Sequence, residues 1–346
     1  MRLGLIGLPQ VGKKTLFRLL TGHTGEMGQA KVRDVRFDRL VEMYKPKRKV
    51  PAEMAFVLLP DLDTQAERNI PVFQDLERVD VICFLARVFE NDTVFHIAGD
   101  IDAKRDIRVF WEELLLADLI FVEKRLERIA QDRHTKDRLR IEQEKDLMTR
   151  MQAHLEAGKP LRQFALTSDE VKLTSSYPFL TTKAVIVVMN TDEDQINDDK
   201  IIDEIAADFA DCGFEWIAIS AQIEEEISLL DDETREEFLA DLGIEQPALD
   251  RLTLLCYKTL GLISFFTVVN DEVHAWTIPR GTLSPQAGGA VHGDIERGFI
   301  RAEVMRYEDL TTLGDEQKVK AAGKLMVKGK DAEIFDGDVI HFLFKV

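Results

Sequence analysis

The chain begins Met1-Arg2-Leu3-Gly4-Leu5-Ile6-Gly7-Leu8-Pro9-Gln10-Val11-Gly12-Lys13-Lys14-Thr15, a short apolar run that breaks at Gly7 into the spacing Gly-x-x-x-x-Gly-Lys. In the phosphate-loop pattern G-x-x-x-x-G-K-[ST], glycines let backbone N–H groups wrap phosphates and the lysine reaches the outer ones. The last hydroxyl holds Mg²⁺. Leu16, Phe17, Leu19 and Leu20 follow at helical spacing, so the loop lies between a strand and a helix N-terminus, where an anion is favoured. Gly7, Gln10, Val11, Gly12, Lys13, Lys14 and Thr15 are therefore the candidate phosphate-binding residues. Lys14 stands where the metal-binding hydroxyl belongs, so the same motif that announces nucleotide binding puts Mg²⁺ in doubt.

The 346 residues suffice for two or three domains, and 45% hydrophobic with 31% charged content describes a globular chain. No apolar run approaches the roughly 20 residues of a membrane span, and the apolar start runs straight into the loop. Cys83, Cys212 and Cys256 are far apart, which fits a reducing cytoplasm better than disulfides or zinc. A net charge of −18 opposes a nucleic-acid coat and gives no reason to expect DNA as a partner. Residues 31–49 run against that balance with Lys31, Arg33, Arg36, Arg39, Lys45, Lys47, Arg48 and Lys49. They read as a solvated loop, with local contact to RNA as the alternative.

Further buried strands are expected at 54–60, 79–85, 184–189 and 216–219, alternating with helices, as in a mostly parallel sheet covered on both faces. A long helical stretch over 103–165 carries the stripe Leu114, Leu115, Leu119, Val122, Leu126 and Ile129. It breaks around Asp132–Asp137, resumes at Leu139, Leu147, Met151 and Leu155, and stops at Gly158-Lys159-Pro160. This predicts an antiparallel helical hairpin, either a partner-binding arm or a structural insertion. Beyond Leu260-Gly261 the chain turns rich in β-formers and turns, a small sheet-rich domain with at least one helix.

The tail carries Leu260-Gly261-Leu262-Ile263-Ser264-Phe265-Phe266-Thr267, Ala275-Trp276-Thr277, His292-Gly293-Asp294-Ile295-Glu296-Arg297-Gly298-Phe299-Ile300-Arg301-Ala302-Glu303, Gly329-Lys330-Asp331 and Asp336-Gly337-Asp338. With the phosphate loop and the helical insertion, these make the chain resemble the YchF family of Obg-related P-loop NTPases. The resemblance implies an α/β fold in three parts. These are a P-loop nucleotide-binding domain (1–110 and 175–260), an inserted helical hairpin arm (111–174) and a β-grasp-like TGS domain (261–346). It implies a cytoplasmic protein that binds ATP or GTP, with ATP preferred, and associates with the ribosome or RNA through the arm and the TGS domain. Asn190-Thr191-Asp192-Glu193 is similar to the family's Asn-x-x-Glu, replacing the Asn-Lys-x-Asp that reads guanine; Asn190 and Glu193 thus become base-site candidates. Ser220 and Ala221 match the second loop beside the base, while Glu224, Glu225 and Glu226 read as a solvated helix face.

Three departures from the family pattern fall where metal and the outer phosphate are held. Lys14 replaces the metal-binding serine, and Thr15, which the resemblance turns toward the α-phosphate, cannot substitute because one helical step rotates a side chain by about 100°. Leu58-Leu59-Pro60-Asp61 replaces Asp-x-x-Gly, so Leu58 cannot hold metal and Asp61 brings negative charge toward a phosphate. The segment Thr21 to Gly28 does not match the first switch loop; Thr24 is its nearest stand-in. Lys14 either supplies charge in place of the ion or faces solvent. The expectation is a nucleotide-binding protein that is at best a weak ATPase or GTPase, with no catalytic residue and no metal ligand assigned. The alternative is a catalytically dead pseudo-NTPase that works as a protein- or RNA-binding scaffold.

Overall fold

The computed structural model describes residues 1–131, 138–196, 199–244 and 246–345, so the polar break expected at 132–137 lies outside the described residues. The strands are β1 (Arg2–Gly7), β2 (Met27–Lys31), β3 (Arg48–Val50), β4 (Glu53–Leu58), β5 (Val81–Arg87) and β6 (Ala184–Asn190). They continue with β7 (Glu215–Ile219), β8 (Leu262–Val269), β9 (Glu272–Pro279), β10 (Phe299–Arg306), β11 (Met326–Lys328) and β12 (Asp338–Phe344). The helices are α1 (Lys13–Thr21), α2 (Val35–Tyr44), α3 (Ile70–Leu76), α4 (Ala103–Gln131), α5 (Arg138–Glu156), α6 (Ser168–Thr174) and α7 (Asp199–Ala206). Then come α8 (Ala221–Leu229), α9 (Asp232–Asp241), α10 (Ala248–Thr259), α11 (Ser284–Val291), α12 (Gly293–Arg297), α13 (Tyr307–Leu313) and α14 (Glu316–Ala321). They distribute into two compact units, Met1–Gly28 with Ala55–Leu249, and Gln29–Met54 with Asp250–Val346.

The first unit is built on a sheet of order β2-β4-β1-β5-β6-β7. β1 pairs in parallel with β4 and β5, β5 with β6, and β6 with β7. Every residue of β5 is buried, as expected for a parallel strand with helices on both faces. Phe110 and Trp111 of α4 belong to that core: Phe110 stacks on Phe84 at 4.3 Å and Trp111 meets Phe214 edge-on at 4.9 Å. Helix α4 begins at 103, where the helical stretch was expected to begin, and its first turns, through Trp111 and Leu114, pack on the sheet. Farther along, Val122, Ile129, Leu147, Met148, Met151 and Leu155 of α4 and α5 form a separate apolar cluster with Phe179. Gly158, at φ 73°, ends α5 by donating to Leu155 O at 2.8 Å.

At the root of this hairpin, buried Asp118 accepts hydrogen bonds from Leu180 N and Thr181 N at 2.8 Å each and from Thr181 Oγ1 at 2.6 Å. Burial pushes its carboxyl up to about 6, against the lowering pull of those donors. The bond set fixes the chain just before β6, whose far end carries Asn190.

The second unit has the sheet order β11-β10-β12-β8-β9-β3. β12 runs parallel to β8, while β8–β9, β10–β12 and β10–β11 are antiparallel. That mixed order, with α11 and α12 packed on it, is a β-grasp arrangement. Asn270 and Asp271, at φ 53° and 64°, make the two-residue turn between β8 and β9. Tyr257 of α10 hydrogen-bonds Ser264 Oγ and Thr277 Oγ1, each at 2.9 Å, which explains why the second unit begins at Asp250 rather than 261.

Residues 31–49 are a correction to the loop reading. β3 adds to the edge of this second sheet, parallel to β9, with Arg48 opposite Glu272 and Val50 opposite His274. Arg36 forks onto Asp34 at 2.8 Å, reaches Asp336 at 3.0 Å and lies over the Phe266 ring. Lys47 pairs with Asp271 at 3.0 Å and Arg48 with Glu272 at 3.1 Å. Arg36, Lys47 and Arg48 meet acids more than 200 positions away, so local composition could not reveal that this segment is folded.

Candidate functional site

The loop from Gly7 to Gly12 is shaped by close approach. A Cβ on Gly7 would meet Leu85 O at 2.6 Å, so only glycine lets β1 end against β5 here. Gln10 and Gly12 adopt left-handed backbones, φ 62° and 93°, and curl the loop back to α1. Gly12 caps α1 without a side chain, its carbonyl accepting from Leu16 N at 2.9 Å. The N–H groups of Lys13, Lys14 and Thr15 consequently have no acceptor inside the helix, the arrangement that receives a phosphate.

Asn190 holds this loop in place. Its Nδ2 donates to Val11 O at 3.0 Å and its Oδ1 accepts from Ala221 N at 3.0 Å. A Cβ on Gly12 would stand 2.4 Å from Asn190 Nδ2. Asn190 is therefore a positioning residue whose amide is spent on backbone, and the Ala221 N–H, a candidate base contact, is engaged by it. Arg87, which pairs in register with Asn190, is the residue sequence reasoning missed. It is 1% exposed and donates to the carbonyls of Phe89, Asn91 and Val94, tying down the loop after β5. An arginine closing the otherwise apolar Val81–Ala86 run was the available signal.

Lys13 is 4% exposed, and its ammonium donates to Leu59 O at 2.8 Å and Pro60 O at 2.9 Å while pairing with Asp61 Oδ1 at 2.9 Å. An ammonium has three protons, so the motif's lysine is saturated by its own chain. Burial lowers its pKa below the usual lysine value, opposed by the hydrogen bond and charge of Asp61. The spacing alone predicted a side chain waiting for phosphates.

Lys14 is exposed and, among the described residues, has no ion-pair partner. With Lys13, half-buried Thr15, Thr24 and Asp61 it lines an open cavity of about 1170 Å³ that also takes in Arg18 and Glu26. A second, polar hollow, which takes in the base-site candidate Glu193, is lined by Glu90, Asp192, Glu193, Asp194, Gln195 and Gln222. Glu193 is exposed in a short turn capped by Asp192, and its carboxylate has no partner among the described residues. Ser220 is buried at the N-cap of α8, 3.5 Å from Ile223 N. Glu224, read as part of a solvated face, is instead 2% exposed and accepts from Ala248 N at 2.6 Å.

The uncapped helix and left-handed loop fit a phosphate. The donor set does not fit Mg²⁺, which seeks oxygen ligands: Lys14 replaces the hydroxyl, Leu58 is apolar, and Asp61 is committed to Lys13. Among the described residues no group of three or more His, Cys, Asp or Glu is placed to hold an ion.

A family model described as YchF-GTPase_C, protein of unknown function (DUF933), matches residues 262–345. The chain is 35% identical to "Ribosome-binding ATPase YchF" of Bacillus subtilis, covering 99% of both chains. It is 37% identical to the protein of the same name from Haemophilus influenzae, again over 99% of each. The solved structure of the Schizosaccharomyces pombe YchF GTPase superposes with a TM-score of 0.89 at 31% identity, covering 99% of this chain and 97% of that one.

Proposed function

This chain belongs to the YchF family, and on that premise we propose that it is an adenine-nucleotide-binding, ribosome-associated protein whose hydrolytic activity is weak or absent. The observation that carries the binding half is the uncapped start of α1 behind the left-handed Gly12, a ready anion site. The polar hollow lined by Asp192, Glu193 and Gln222 offers room for a base. Adenine is supported by Thr191 in place of the guanine-reading lysine and by the unpartnered Glu193 carboxylate, an acceptor suited to an exocyclic amine. Ribosome association is carried over from the relatives' names, and the hairpin and β-grasp unit are its natural working surfaces.

Weak hydrolysis follows from the chemistry. Phosphoryl transfer depends on positioning and on neutralising developing charge. Here the metal ligands are replaced and Lys13 is occupied by Asp61 and two carbonyls. Purified protein with ATP and Mg²⁺ is expected to show no steady phosphate release above that of Lys13→Ala, while labelled ATP binds saturably. Turnover that Lys13→Ala abolishes would contradict the weak-hydrolysis reading. Absence of any nucleotide binding would leave the scaffold reading, which the saturated lysine favours.

A further inference from the structure

We propose that the phosphate site is built for a nucleoside diphosphate, with the Asp61 carboxylate taking the place of the outer phosphate on Lys13. The inference rests on the nucleotide-binding reading and adds to it which phosphorylation state is held. In a phosphate loop the lysine serves the β- and γ-phosphates together. Here its three protons go to Leu59 O, Pro60 O and Asp61 Oδ1 at 2.8–2.9 Å.

The three acceptors are not equally free to leave. Both carbonyls belong to a segment stapled to β1, through Leu59 N to Leu5 O at 3.0 Å and Leu62 N to Gly7 O at 3.1 Å. The Asp61 side chain is 43% exposed and can swing out. A diphosphate can hold its β-phosphate on the loop and first-turn N–H groups alone, leaving the Lys13–Asp61 pair intact. A triphosphate brings a further, doubly charged group to the same ammonium, where Asp61 already stands. With Leu58 and Lys14 in the metal-ligand positions, no bound cation relieves that repulsion. Lys14 also favours the more charged form, but it is exposed and unpaired among the described residues, so solvent screens it more than Asp61, which Lys13 holds in place.

The test is calorimetric titration of the full chain with ADP and with ATP, in EDTA and in Mg²⁺, for wild type and Asp61→Asn. Wild type is expected to bind ADP about tenfold or more tighter than ATP. The neutral, isosteric variant is expected to narrow that ratio, chiefly by tightening ATP. Equal or tighter ATP binding by wild type overturns the inference, as does an unchanged ratio in Asp61→Asn, and both leave nucleotide binding intact. Failure of wild type and variant alike to bind either nucleotide removes the underlying reading as well. If Asp61→Asn does not fold, as judged by its thermal transition, the wild-type ratio decides alone.

Discussion

Gly12→Ala is expected to weaken nucleotide binding by about a hundredfold while leaving most of the fold in place. The methyl group would lie 2.4 Å from Asn190 Nδ2, and φ of 93° is costly for any residue with a Cβ, about 1–2 kcal/mol. Displacing Asn190 forfeits its bonds to Val11 O and Ala221 N, each worth about 1 kcal/mol. The loop would relax to another shape, and a nucleotide that needs the native one must supply about 3 kcal/mol to restore it. The two lost bonds are buried, so the denaturation midpoint should fall as well, by the equivalent of about 2 kcal/mol. A fluorescent-nucleotide titration beside a urea melt separates the two. Unimpaired binding would show that phosphates do not use this loop.

Asp118→Ala carries the largest expected effect on stability, about 3 kcal/mol at neutral pH. It strands two buried backbone N–H groups, those of Leu180 and Thr181, at about 1–3 kcal/mol each. The pH dependence has a definite sign. The folded carboxyl titrates near 6, above its unfolded value of 3.8, so the folded state binds more protons between these values. Its protonation-linked stabilisation is fully present below 3.8 and lost as pH rises through about 6. The destabilisation caused by Asp118→Ala should therefore be about 1 kcal/mol larger at pH 5 than at pH 7.5. Urea midpoints of both proteins at the two pH values check this, and a difference of opposite sign would refute it.

How far the sequence could be read depended on whether a residue's partner was near it in the chain. β5 and β6 announce themselves because a strand covered on both faces has to be apolar throughout. The hairpin shows in its stripe, since Val122, Leu147 and Met151 pack at helical spacing. Glu224 gave no such sign. Its neighbours Glu225 and Glu226 look alike in sequence, and burial was decided by Ala248 N, 24 positions away. Residues 31–49 were opaque for the same reason. At the site, the phosphate-loop spacing and the Lys14 substitution in it could be read from the residues, while the departure at Leu58 came from the family resemblance. The charge of Asp61 was visible as an obstacle, but its pairing with Lys13 needed the strand end and the loop in one place. The bridging role of Asn190 likewise exists only once β6, the phosphate loop and α8 are adjacent. Arg87, by contrast, bonds carbonyls two to seven residues on and was legible as the charge ending an apolar run.

The edge position of β3 has a consequence in time. Arg48, Lys49 and Val50 pair with Glu272, Val273 and His274, roughly 220 residues later in the chain. At synthesis rates of about 5–20 residues per second, the segment emerges and then waits on the order of 10–45 s before its partner strand exists. During that wait its backbone donors and acceptors face water, a condition that invites pairing with the wrong chain. Lysine and arginine along the strand discourage such pairing until the acidic residues after β8 arrive. The unit is thus completed only when its own distant end has been made, and a chain cut short before residue 272 leaves that early strand without its sheet.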